Sequence, residues 1–97
     1  MSQDLIKAVT VYELSRAWCM SKEYEFGSPE NMDILHGFAK MMDLIKNKYG
    51  EDFMVEMYHE TCKNVNEKIQ VLPGFVLIAL EKRGEKFDIH SYARPAL

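Results

Sequence analysis

Two spacings in this chain match metal-ligand chemistry. Asp33-x-x-His36 and Glu56-x-x-His59 each set a carboxylate and an imidazole one helical turn apart. Di-iron helical bundles use two such pairs with two further carboxylates, all pointing inward. Glu13 or Glu23 could complete the set. The surrounding pattern argues otherwise. His36 falls opposite Leu35, Phe38 and Met42, and His59 shares a polar face with Glu56 and Lys63. Ligands on outward faces meet only across an oligomer interface. The expectation is therefore solvated histidines, no metal and no cofactor, with a small di-metal helical oligomer as an alternative.

Cys19 and Cys62 are the next candidates for chemistry. They lie 43 positions apart, without Cys-x-x-Cys spacing or a local signature for a Cys-His dyad. Cys62 falls within an apolar stripe, where a free cysteine acts as a small hydrophobe. Glycines 27, 37, 50, 74 and 84 follow no phosphate-loop pattern. The basic cluster Lys82-Arg83 with Lys86 is interrupted by Glu81, Glu85 and Asp88. It reads as a solvated turn, although Arg83 or Arg94 could hold a phosphate or a partner's carboxylate. No catalytic residues are expected.

The remaining signals concern surfaces. Residues 51–60 hold Glu51, Asp52, Glu56 and Glu60 and no Lys or Arg. Seven methionines include Met54 and Met57 in that same stretch. Methionine adapts to irregular partners, and charge complementarity speeds docking. Glu51, Asp52, Met54, Glu56, Met57 and Glu60 are therefore the expected partner-binding set, facing a larger protein with a basic surface. The bland alternative is a solvated helix face with favourable N-terminal charge.

Four elements must position these groups. The first segment runs from about Gln3 to Met20, capped by Ser2 or Asp4. Leu5, Ala8, Val9, Tyr12 and Cys19 lie on one face, and Val11, Leu14 and Trp18 on the other. A connector over 21–28 leads to Ser28-Pro29-Glu30, a helix start with a cap, a proline at the first turn and an acid near the dipole. The second helix spans 29–49 and stops at Gly50. Its stripe is Leu35, Phe38, Met42, Ile45 and Tyr49. The third helix spans 52–70, with the stripe Val55, Tyr58, Cys62, Val65 and Ile69. A connection this short makes the two an antiparallel hairpin. After Leu72-Pro73-Gly74, residues 75–84 read as a short apolar helix. A C-terminal β-hairpin over 75–90 is the alternative, and the tail from Ser91 is expected to be irregular. The expected core centre is Leu35, Phe38, Met42, Ile45, Tyr58, Cys62 and Val65.

Length and charge bound the whole. Ninety-seven residues with 47% hydrophobic and 28% charged residues make one ordinary domain, 1–97. The fold class is all-α: a small three- to four-helix domain around that hairpin. A net charge of −3 argues against direct nucleic-acid binding. No apolar run is long enough for a membrane span or a leader, and two cysteines suit a cytoplasmic protein. Two-sided apolarity in the first helix suggests a homodimer joined through Val11, Leu14 and Trp18. The expected function is a non-enzymatic protein-interaction module, an inhibitor or adaptor for a larger protein. Size and composition associate it with phage-encoded inhibitors of host defence or transcription proteins. A small-ligand or nucleotide sequestering oligomer, with Arg, Lys and aromatic residues converging between subunits, is a further alternative.

Overall fold

The computed structural model describes residues 2–88 together with residues 91 and 92. Its elements run α1 (Gln3–Ser21), α2 (Pro29–Tyr49), α3 (Glu51–Val65), β1 (Leu72–Pro73), α4 (Gly74–Glu81) and β2 (Ser91–Tyr92). α1 packs on both α2 and α3, α2 packs on α3, and α4 covers α3. The domain is all-α apart from one parallel pairing, Leu72 with Ser91 and Pro73 with Tyr92.

Local chemistry explains the boundaries. The Ser2 hydroxyl accepts from the Leu5 N–H at 3.1 Å and starts α1. The Ser28 hydroxyl accepts from the Asn31 N–H at 3.2 Å ahead of Pro29, as its sequence signature requires. Gly50 alone joins α2 to α3, with φ of 98° and ψ of 165°, a conformation that glycine adopts without a Cβ clash. It fixes the helical hairpin.

α3 ends at Val65, short of the expected Gln70. Asn66 takes the left-handed conformation, and the Glu67 N–H reaches back to the Cys62 carbonyl at 3.1 Å. Asparagine tolerates this geometry, which closes the helix and satisfies its last carbonyls. Residues 74–81 are helical, so the β-hairpin reading over 75–90 does not hold in its first half. Nor is Ser91–Tyr92 irregular, since it pairs with β1. The expectations for His90 and for 93–97, including Arg94 and Pro95, lie outside the described residues.

The core contains Leu14 and Trp18 of α1, Leu35, Phe38 and Met42 of α2, and Met54, Met57 and Tyr58 of α3. Ile69, Leu72, Val76, Ala79 and Leu80 close it from the C-terminal side. Ile45, Cys62 and Val65, expected at its centre, are only partly buried. α3 lies between α1 and α2 on one side and α4 on another, so its buried arc widens toward Met54, Met57 and Thr61. Thr61 tolerates burial because its hydroxyl donates to the Met57 carbonyl at 2.7 Å.

Candidate interaction surface

The acidic residues of α3 do not form an uncompensated edge. Lys7 of α1 reaches Glu56 at 2.9 Å, and Lys63 reaches Glu60 at 3.2 Å. Lys82 and Arg83, just past α4, both lie 3.1 Å from Glu51, and Arg83 also pairs with Asp52. Arg83 further donates to the Ala79 carbonyl at 2.8 Å. These contacts leave their mark on the charges. Hydrogen bonds from Lys82 and then Arg83 lower the Glu51 carboxyl below its usual value. Glu56 raises the Lys7 ammonium, and Asp52 with Glu51 raises Arg83. Lys63 lies one turn on in α3 itself, and the other neutralising groups come from other elements, so the composition of 51–60 alone could not reveal them. One signal pointed to them: an acidic stretch and a basic turn in the same small domain attract each other. The carboxylates that Arg83 holds are the chain's own.

Met54 and Met57 are both 0% exposed. They fill the core and cannot present themselves to a partner. This corrects the expected binding set, of which only the acids remain at the surface. Along them runs a shallow depression of about 710 Å³, lined by Asp52, Val55, Glu56, His59, Glu60 and Lys63. His59 sits against Glu85, and its ring meets the Tyr58 ring edge-on at 5.5 Å. Among the described residues no three His, Cys, Asp or Glu side chains gather as a metal site would require.

The expected dimer face of α1 is corrected as well. Leu14 is 1% exposed and Trp18 is 7% exposed, with Val11 partly buried, all within one chain. Trp18 lies 6.5 Å from the Phe38 ring, and its indole N–H donates to Glu67 at 3.1 Å. Lys22 pairs with the same carboxylate. Lys22 and then the indole N–H pull the Glu67 carboxyl down, against the opposing effect of burial. This face of α1 is the one that meets α2 and α3.

The outward face is the other one. Leu5 and Val9 are each 50% exposed and Tyr12 is 62% exposed. Their i, i+4, i+7 spacing makes one continuous apolar stripe, with Ala8, Arg16 and Cys19 also exposed on α1. Beside it, between α1 and α3, lies a groove of about 380 Å³ lined by Lys7, Ala8, Val11, Tyr12, Glu60 and Asn64. Asn64 donates to Ser15 at 2.9 Å across the floor of this α1–α3 contact. The sequence pattern contained this stripe, but two apolar faces of equal strength did not say which one turns inward.

No protein-family model, no curated protein and no solved structure matches the chain significantly. Among the described residues, no helix is long and apolar enough to cross a membrane.

Proposed function

We propose that this domain is a non-enzymatic protein-interaction module, an inhibitor or adaptor that docks on a larger protein through the outer face of α1. The observation that carries this reading is the Leu5–Val9–Tyr12 stripe. A helix that is apolar on both sides is normally covered on both sides, and among the described residues only one side of α1 is covered. Three side chains fall short of the ~800 Å² that a stable interface covers on each partner. The footprint therefore extends over the adjoining groove, onto Lys7, Glu60 and Asn64. Without a partner, the same stripe draws two copies into a homodimer, which leaves one surface with two competing occupants. Cys19 and Cys62 are free thiols, which suits a cytoplasmic setting.

The test uses Val9→Glu, which places a charge in the centre of the stripe. Native-host lysate is passed over immobilised wild type and over the variant, and the captured proteins are identified by mass spectrometry. A stoichiometric partner held by wild type and lost with Val9→Glu is the expected result. In parallel, light scattering on purified wild type should give about twice 11.3 kDa, and the variant should give the monomer mass. A partner retained undiminished by Val9→Glu would move the interface off α1. Wild type that is monomeric and captures nothing would remove the interaction reading.

A further inference from the structure

The far end of α1 holds a second feature, independent of the outer stripe. A half-open cleft of about 240 Å³ is lined by Trp18, Tyr24, Phe26, Leu35 and Val71, together with Asn31, Ser21 and Lys22. Two of its walls are aromatic and exposed. Phe26 is 66% exposed and Tyr24 is 45% exposed, although both lie on the short connector between α1 and α2.

That connector is tied down. The Gly27 N–H donates to the Asn31 side-chain oxygen at 3.0 Å, and the Asn31 amide donates to the Ser21 carbonyl at 2.8 Å. The Ser28 N–H closes on the Glu25 carbonyl at 3.0 Å. Asn31 is 4% exposed, so this clasp is shielded from water. The connector that carries Tyr24 and Phe26 is thus fixed by satisfied hydrogen bonds, which pre-organise the cleft it borders.

The chemistry of the walls narrows the occupant. Trp18, Tyr24 and Phe26 offer aromatic surfaces, and Leu35 and Val71 offer aliphatic ones. Apart from the Tyr24 hydroxyl, the side-chain polar atoms of the lining are engaged. The Trp18 N–H and Lys22 both contact Glu67, the Ser21 hydroxyl donates to the Trp18 carbonyl at 2.6 Å, and both ends of the Asn31 amide are used. Among the described residues no unpaired charge lines the cleft, and desolvating a charged ligand there would go uncompensated. Size fits a ring: an apolar cavity of about 150 Å³ suffices for benzene.

We propose that this cleft is a binding site for a small uncharged aromatic molecule, of one-ring to indole size, seated between Trp18, Tyr24 and Phe26. The ring meets the aromatic walls at offset or edge-on angles and leaves the Lys22–Glu67 pair intact at the rim.

Trp18 is the chain's single tryptophan, so its emission reports occupancy directly. The full chain is titrated with toluene, with excitation where toluene does not absorb, and ¹H–¹⁵N spectra are recorded in parallel. Expected is a saturable change in Trp18 emission, with shifts confined to Trp18, 21–28, Asn31 and Val71. Benzoate, the same ring bearing a charge, should bind about tenfold weaker or less well still. Val71→Phe adds bulk to the lining and should abolish the response. Phe26→Ala removes only an exposed wall, so it folds normally, and it should weaken toluene binding several-fold. The proposal is overturned if toluene gives no saturable response up to its solubility limit, if benzoate binds as well as toluene, or if Phe26→Ala leaves binding unchanged.

Discussion

Tyr58 shows how much one side chain does in this domain. It is 1% exposed, and its hydroxyl donates to the Ile69 carbonyl at 2.6 Å. Burial pushes the phenol up, far above its usual range, so it stays protonated and remains a donor. The bond joins α3 to the chain that leads into β1. The Phe87 ring meets the Tyr58 ring edge-on at 6.4 Å. Tyr58→Phe keeps the ring and strands the Ile69 carbonyl, which should cost about 1–3 kcal/mol. Urea denaturation measures it. An unchanged midpoint would mean that water replaces the hydroxyl. At this scale the sequence was informative for Leu35, Phe38, Met42 and Tyr58, all found buried. It misled for Met54 and Met57, because methionine suits a core gap and an adaptable surface equally well. Residue type alone does not separate those two fates.

Elements were legible wherever a cap spoke for itself. Ser28-Pro29 and Gly50 bound α2 at its observed limits. Asn66 was the overlooked stop, for it ends α3 by a backbone conformation that asparagine only sometimes adopts. The 75–84 stretch was ambiguous because a short apolar run has no diagnostic period. Burial of Val76, Ala79 and Leu80 on one side of α4, with Ile78 60% exposed, is what a helix covering α3 provides. α1 is the instructive case. Its two apolar faces were visible, yet which one was free depended on where α2 and α3 sit. A paired substitution tests the assignment. Leu14→Glu buries an unpaired carboxylate among Trp18 and its neighbours and should cost about 4 kcal/mol or more. Val9→Glu, which faces solvent in the single chain, should shift stability by less than about 0.5 kcal/mol at concentrations too low for two copies to associate. Thermal melts of the two decide it. Equal destabilisation would show that Val9 is covered too.

At the scale of the whole molecule, α1, α2 and α3 form an apolar body, and the chain after α4 is fastened to it largely by charge. Arg83 and Lys82 hold the N-terminus of α3 through Glu51 and Asp52. Glu85 meets His59, Lys68 donates to the Lys86 carbonyl at 2.7 Å, and Gln70 accepts the Asp88 N–H at 3.1 Å. This long-range clasp was not readable from local composition, since its halves are about thirty residues apart and each looks like a solvated face. Acid should release it. Glu51 titrates below its ordinary value of 4.5 when folded, through Lys82 first and Arg83 second. A carboxyl lowered by folding contributes stability that is complete above the unfolded value and is lost as pH falls through the folded one. The clasp is therefore intact at neutral pH and weakens below about pH 4.5. Exposed pairs are screened by solvent and salt, so the loss should be local rather than global. Hydrogen exchange at pH 7 and pH 3.5 reads it directly. The amides of Lys82, Arg83, Gly84 and Glu85, bonded in the folded form, should lose protection at the lower pH while those in the middle of α2 keep theirs. Glu51→Gln should show part of that loss already at pH 7 and a smaller further change on acidification. Protection that is equal at both pH values would mean that Phe87 and the neighbouring apolar contacts, not the ion pairs, hold the segment in place.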